Sequence, residues 1–377
     1  MSDNDNIIMI IRLVSLFIAI ASLASCNENP YGPTNYTPGT PQETPQEKPD
    51  DQIKVSFAKG ADISWLTQME ADGQKFHTAE GKDTDCMSLM KEIGFDAIRL
   101  RVWVDPEEGW CGKEDVLAKA KRAQNEGMRI MIDFHYSDSW ADPGKQNPPA
   151  AWKNHDITQL TQDVENHTRE VLKLLKDNNI DIEWVQTGNE VNNGMLWPSG
   201  KVEGKTAGNF ISLVNTAYGV VKELYPSTKV ILHVSNGHDA GLFEWFFDLM
   251  QSGNARYDII GMSLYPVWWE NGGWNDWKVN TDKCIANIKS MNSRYGKPVI
   301  LCETGMPVSE PQMAKEALKY ILEQTRKIKE CHGVFYWEPQ TDGVWKPSSY
   351  DALGWGAYSM GAFKNGRPTA ALDPFKN

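Results

Sequence analysis

At 377 residues the chain is long enough for one large domain or two small ones. Its hydrophobic fraction of 41% and charged fraction of 23% are those of an ordinary globular protein. A net charge of −12 argues against nucleic acid as a partner, because no basic patch is available to neutralise phosphates. The unusual feature is aromatic, with 15 Trp and 12 Tyr. Trp140, Trp197, Trp274, Trp345 and Trp355 lie in polar, Gly/Pro-rich stretches, where an exposed ring suits the flat apolar face of a sugar as well as it suits a core.

Residues 1–26 stand apart from the fold. An apolar run from Ile7 to Leu23, interrupted by Arg12, ends in Leu23-Ala24-Ser25-Cys26. Small residues before a cysteine resemble the lipobox of a bacterial lipoprotein signal, in which Cys26 becomes the acylated N-terminus after cleavage. A membrane-spanning anchor is the rival, and the run is short for one. Asp3 and Asp5 suit a signal poorly, so Met9 is the better initiator. Acylation would tether the protein outside the cytoplasm, and Asn27 is compatible with export to the outer membrane and the cell surface. Residues 27–52, rich in Pro, Thr, Gln and Glu, read as a flexible spacer. Cys86, Cys111, Cys284, Cys302 and Cys331 show no metal-ligand spacing, and their odd number argues against a disulfide scaffold.

From residue 53 to 377 a short apolar run, a polar turn and a helical stretch alternate. Strands are predicted at Val55–Ser64, Ala97–Val104, Arg129–Tyr136, Ile182–Glu190, Lys229–Asn236, Asp258–Pro266, Pro298–Gly305 and Gly333–Pro339. Helices are predicted at Asp115–Glu126, Ile157–Asn178, Ala207–Leu224, Leu242–Gln251, Asp276–Arg294 and Pro311–Lys329, the last with one apolar face through Met313, Leu318, Ile321 and Ile328. Eight such units predict a single α/β (β/α)8 TIM barrel. A doubly wound open sheet is the rival, but no glycine-rich phosphate loop supports it.

In such barrels the site lies at the C-terminal strand ends. Those ends read Asp62, Arg101-Val102-Trp103, His135-Tyr136, Asn189-Glu190, Asn236, Tyr265, Glu303 and Trp337-Glu338. Strands buried on both faces tolerate charge only where it is paired or functional, so polar groups gathered on one rim point to a site.

Glu190 ends the fourth strand and Glu303 the seventh, on opposite sides of an eight-stranded mouth. Two facing carboxyl groups are what glycoside hydrolysis needs: one protonated to help the leaving oxygen depart, the other attacking the anomeric carbon if the pair is ~5–5.5 Å apart. Mutual repulsion holds one of them neutral. A structural ion pair is the alternative for either glutamate alone. Arg99, Arg101 and Trp103 share one face of strand two. An inward arginine requires a carboxylate partner, and Glu303 is the candidate, with Arg101 nearer the strand end than Arg99. His135 could bond a sugar hydroxyl, orient a carboxylate or be a satisfied core histidine; no second His or Cys at ligand spacing supports a metal.

The stretches Lys59-Gly60-Ala61-Asp62-Ile63-Ser64, Leu100-Arg101-Val102-Trp103-Val104-Asp105-Pro106 and Asp133-Phe134-His135-Tyr136-Ser137-Asp138-Ser139-Trp140-Ala141-Asp142-Pro143-Gly144-Lys145-Gln146 resemble glycoside hydrolase family 53. So do Gln186-Thr187-Gly188-Asn189-Glu190 and Cys302-Glu303-Thr304-Gly305. The resemblance runs from about Val55 to the C-terminus and implies a retaining endo-β-1,4-galactanase acting on galactan and the type I arabinogalactan side chains of pectin. It implies Glu190 as acid/base, Glu303 as nucleophile and Asn189 on the 2-hydroxyl of the sugar being cleaved. Arg101, His135, Tyr265 and Trp337 would line the same subsite. Asp138, Trp140, Asp142 and Lys145 would contact neighbouring galactosyl units, and Trp197, Trp268 and Trp269 could stack on sugars further out. Asn189 and Glu190 are consecutive, so both serve only if the strand breaks its pleat there.

The loops after strands seven and eight look shorter than in relatives that bind calcium there. Calcium is therefore doubtful and no cofactor or metal is required. The expected state is a monomer whose partners are galactan and galacto-oligosaccharides, with the membrane reached only through a lipid anchor. The rivals are a barrel hydrolase for another β-1,4-glycan, such as mannan or glucan, and a surface glycan-binding lipoprotein that does not cut.

Overall fold

The computed structural model describes residues 56–267 and 276–376. The signal and spacer assigned to residues 1–26 and 27–52, the lipid site at Cys26, and Trp268 and Trp269 lie outside the described residues.

Eight parallel strands close into one barrel: β1 (Ala58–Asp62), β2 (Ala97–Val102), β3 (Arg129–Phe134), β4 (Trp184–Thr187), β5 (Lys229–Val234), β6 (Ile259–Leu264), β7 (Val299–Thr304) and β8 (Cys331–Trp337). Neighbours in sequence are neighbours in the sheet, and β1 pairs with both β2 and β8 to complete the circle. Helices α1 (Leu66–Ala71) and α2 (Cys86–Ile93) follow β1. Helices α3 (Lys113–Asn125), α4 (Ile157–Asp177), α5 (Gly208–Leu224), α6 (Ala240–Ser252), α7 (Trp277–Tyr295), α8 (Pro311–Arg326) and α9 (Ser348–Leu353) follow β2 to β8 in turn. The expected (β/α)8 barrel is the fold.

Local chemistry sets the helix bounds. Asp156 accepts the backbone N–H of Gln159 while the Gln159 side chain accepts from Asp156 N, a reciprocal cap that starts α4. Leu160, Val164, Val171 and Leu172 then form its buried stripe. Helix α2, absent from the sequence reading, is only eight residues long. Asp85 caps its start, and Gly94 closes it in the left-handed region at φ 109°.

The barrel interior is layered by the period of two. Ala58, Ala97, Met131, Trp184, Ile231, Ile259, Ile300 and Phe335 fill its lower end as an apolar plug. A Cβ on Gly60 would lie 2.0 Å from the Phe335 ring, so the missing side chain on β1 is what admits that phenyl group. Two residues further along β2, β3, β4 and β5 the same inward face turns polar, bringing Arg99, Asp133, Gln186 and His233 into one buried layer.

Candidate active site

Each catalytic candidate reaches the barrel mouth through a local irregularity. Strand β4 stops at Thr187 rather than running to Glu190, because Gly188 (φ 92°) and Glu190 (φ 45°) both take positive φ. That break in the pleat lets Asn189 and Glu190 face the same cavity, as the sequence required. On β7 the alternation of Ile300 and Cys302 would send Glu303 outward. The β6–β7 register instead jumps from Met262↔Leu301 to Ser263↔Glu303, so β7 carries one extra residue and Glu303 turns inward level with Ser263.

Arg99 is the hub beneath them. It is 1% exposed, and its Nη1 lies 2.8 Å from Asp62 Oδ2 and 2.9 Å from Glu303 Oε1. Its Nη2 donates to Asp133 Oδ2 at 2.8 Å and to Asn189 Oδ1 at 2.9 Å, and its Nε to Gln186 Oε1 at 3.3 Å. Burial disfavours the guanidinium, but Asp133, Glu303 and Asp62 hold it charged far above its ordinary range. Tyr265 donates its hydroxyl to the other carboxylate oxygen of Glu303 at 3.0 Å. Burial raises Glu303 to about 7, with Arg99 pulling the other way. Burial and then the charge of Glu303 raise Glu190 to about 8. Of this coupled pair Glu190 keeps its proton further up the pH scale.

One expectation is corrected. The arginine on Glu303 is Arg99, and Arg101, expected to line the subsite, lies beneath the cavity wall. Its Nη1 donates to Glu338 Oε1 at 2.6 Å, and its guanidinium sits against the rings of Trp65, Trp103, Trp140 and Trp337 at 4.3–5.8 Å. The cause is depth in the barrel. Arg99 is in register with Asp62 on β1, at the level of the polar layer, whereas Arg101 is one pleat higher, within reach of Glu338 beyond the end of β8.

The cavity over the barrel mouth measures about 750 Å³. Glu190, Glu303, Asn189, His135, Tyr265 and Trp337 line it, as do Trp140 and Asp142 from the loop after β3. Both nitrogens of His135 are engaged within the protein: Nε2 with Asp133 Oδ2 at 3.0 Å, and Nδ1 with Ala141 N at 3.1 Å and Trp103 Nε1 at 3.3 Å. Asp138 and Lys145 are not on the wall. The Asp138 carboxylate instead ties the loop by accepting from Asp105 N at 3.0 Å and Ala150 N at 2.8 Å. Trp197 is also off the wall and donates its indole N–H to Asn193 O. The segment after β8 adds Tyr350 and Tyr358, which the sequence did not single out, and Trp355, one of the tryptophans whose setting suited a sugar face, 39% exposed.

Beneath the wall two further residues escaped the sequence reading, His233 on β5 and Ser263 on β6. A histidine within the apolar run Val230–Val234 was the available signal. Among the described residues no group of three or more His, Cys, Asp or Glu is placed to hold a metal ion, and no helix is long and apolar enough to cross a membrane.

The model of the family described as glycosyl hydrolase family 53 matches residues 58–375. Arabinogalactan endo-β-1,4-galactanase A of Aspergillus niger is 32% identical over 304 residues, which cover 74% of this chain and 84% of that protein. A fungal β-1,4-galactanase structure is similar with a TM-score of 0.74 and 27% identity, covering 85% of this chain and 98% of that one. The catalytic domain of a family 53 protein from Ignisphaera aggregans has a TM-score of 0.72 and 27% identity, over 87% and 98% of the two chains.

Proposed function

The chain belongs to glycosyl hydrolase family 53, and from that membership we propose that it hydrolyses internal β-1,4-galactosidic bonds of galactan and arabinogalactan side chains by double displacement. The observation that carries the reading is the pair of inward glutamates at the barrel mouth, one fixed by Arg99 and Tyr265, the other holding its proton to about 8. A named galactanase 32% identical to this chain and a galactanase structure with the same barrel at 27% identity supply the substrate class.

In the first step a Glu303 oxygen bonds to the anomeric carbon while the glycosidic C–O bond breaks. Glu190 delivers its proton to the departing oxygen. Arg99 and Tyr265 hold Glu303 in place and spread its charge. In the second step Glu190, now a carboxylate, takes a proton from water as the water oxygen bonds to the anomeric carbon and the ester to Glu303 breaks. The chemistry uses these side chains and includes no cofactor.

The reading extends to a monomer tethered outside the cytoplasm through an acylated Cys26, with residues 27–52 as the spacer. Metabolic labelling with a fatty acid that is lost in Cys26→Ser tests the tether. Reducing-sugar release from linear β-1,4-galactan, with β-mannan and soluble cellulose as controls, tests the activity. Oligosaccharides from galactan are expected, and Glu303→Gln is expected to abolish them. Release from mannan or cellulose in place of galactan would reject the substrate, and full turnover by Glu303→Gln would reject the mechanism.

A further inference from the structure

We propose that His233 and Ser263 are positioning residues that set the direction of hydrogen bonding onto Glu190: Ser263 offers it a lone pair while it carries the acid's proton, and turns to donate once that proton has left. This rests on the reading of Glu190 as acid/base. The buried ring of His233 spans from Asn189 to Ser263, with Nδ1 3.1 Å from Asn189 Oδ1 and Nε2 2.8 Å from Ser263 Oγ. Ser263 Oγ is in turn 2.6 Å from Glu190 Oε1, to which it donates when Glu190 is ionised, and that bond lowers Glu190.

The direction of this chain follows from its fixed end. The Asn189 oxygen accepts from Arg99, and its Nδ2 donates to Ala141 O at 2.8 Å, so the amide cannot be turned round. The oxygen therefore faces His233 Nδ1 as an acceptor, and Nδ1 must carry the hydrogen. The backbone N–H of Glu190 also points at Nδ1 as a donor, at 3.4 Å against 3.1 Å for the Asn189 oxygen, and the shorter contact is the one that sets the tautomer. The ring is neutral: burial, then the charge of Arg99, lowers His233 well below its ordinary value, against Asp133, while His135 adds to the lowering. A neutral ring with its hydrogen on Nδ1 has a bare Nε2, so the Ser263 hydroxyl donates there. Only a lone pair of Ser263 is left for Glu190, and a lone pair favours the protonated acid.

Other charges meet Glu190 from around the barrel: Glu303 on β7 and Asp142 after β3 favour its proton, and Arg99 on β2 opposes it. The Glu303 charge is lost while it is esterified and returns on hydrolysis, and within the same turnover the serine is the partner whose hydrogen bond reverses direction. After Glu190 gives its proton to the leaving oxygen, rotation about Cβ–Oγ brings the serine O–H to the new carboxylate and leaves Nε2 without a partner. Water then reprotonates Glu190 and the hydroxyl returns. His233 gains and loses no proton, so the chain is a polarity switch and not a shuttle.

The pH profile of kcat/KM on galactan tests this in Ser263→Ala, with Ser263→Thr as the variant that keeps the hydroxyl. The hydroxyl makes two hydrogen bonds when Glu190 is protonated, to the acid and to Nε2, and one when it is ionised, so its loss should move the alkaline limb down by about 0.5–1 pH unit, from a net hydrogen bond of ~1 kcal/mol and 1.36 kcal/mol per unit. Ser263→Thr should restore the limb. A serine that chiefly donated to the carboxylate would give the opposite shift, and a purely structural one would lower kcat with the limb in place; either result overturns the proposal. Nitrogen-15 NMR of histidine-labelled wild type, assigned against His233→Gln, should find the His233 hydrogen on Nδ1, and finding it on Nε2 would overturn the proposal. The tautomer needs no turnover, so a wild type inactive on galactan would defeat the functional reading while leaving this measurement decisive.

Discussion

Replacing Arg99 with methionine separates the electrostatic role of the hub from its contribution to the fold. The change strands Asp62, Asp133 and Glu303 in a layer where the guanidinium was their shared counter-charge. Breaking a buried pair on one side costs roughly 3–5 kcal/mol. At ~2–4 °C per kcal/mol for a domain of this order, the melting temperature should fall by roughly 6–20 °C. The chemistry should change in a distinct way. An adjacent arginine lowers a carboxyl pKa by about 1–3 units, so removing it should raise Glu303 by that amount. The nucleophile works only when ionised, and activity rises with pH through its titration. The acid limb of kcat/KM should therefore move up by about 1–3 units, while loss of Arg99 also lets Glu190 rise, widening the range of its acid form. Arg101→Met is the control. It strands Glu338 and should destabilise comparably, yet leave the acid limb where it is. The reasoning fails if Arg99→Met melts lower with an unmoved acid limb, or if Arg101→Met moves it equally.

Wild-type kcat/KM should trace a bell with its optimum between about 7 and about 8, the Glu303 and Glu190 values; a flat profile across that range would contradict the pair. Glu190→Gln should lose about 10²–10⁴-fold on galactan and far less on an aryl galactoside whose leaving group needs no proton, and equal losses on both would deny it the acid role. His167 is buried against Phe134, Tyr136 and Trp152, and burial lowers it from 6.5 to about 4. The unfolded chain thus binds the extra proton between those values, so stability is present above pH 6.5 and is lost as pH falls toward 4, by roughly 3 kcal/mol. Denaturant titrations at both ends should show that loss shrinking by this amount in His167→Phe. Gly60→Ala should destabilise by ~1–3 kcal/mol or more through its clash with Phe335, and Phe335→Leu should recover part of it in the double variant.

The sequence made the barrel legible because strand and helix periods alternate eight times, and it made Glu190 and Glu303 legible because charge at buried strand ends is rare. The details turned on features that alternation cannot carry. A reading by parity puts Arg99 and Arg101 on one face but does not give the depth at which each meets a carboxylate. The extra residue in β7 is invisible as a pattern, yet it is what turns Glu303 inward beside Cys302. Asp138 read as a substrate contact because it lies in the loop after β3; its partners, the backbone N–H groups of Asp105 and Ala150, come from separate loops that only the fold brings together. His233 and Ser263 each fall one residue before the end of their strands, so a rule that reads strand ends alone does not reach them.

The most direct test of the account is to trap the enzyme with a 2-deoxy-2-fluoro galactobiosyl substrate carrying an activated leaving group and map the labelled peptide by mass spectrometry. Double displacement predicts one covalently bound galactobiosyl unit on the peptide containing Glu303. Its attachment to another residue, or turnover with inverted anomeric configuration and no adduct, would contradict the mechanism at its centre.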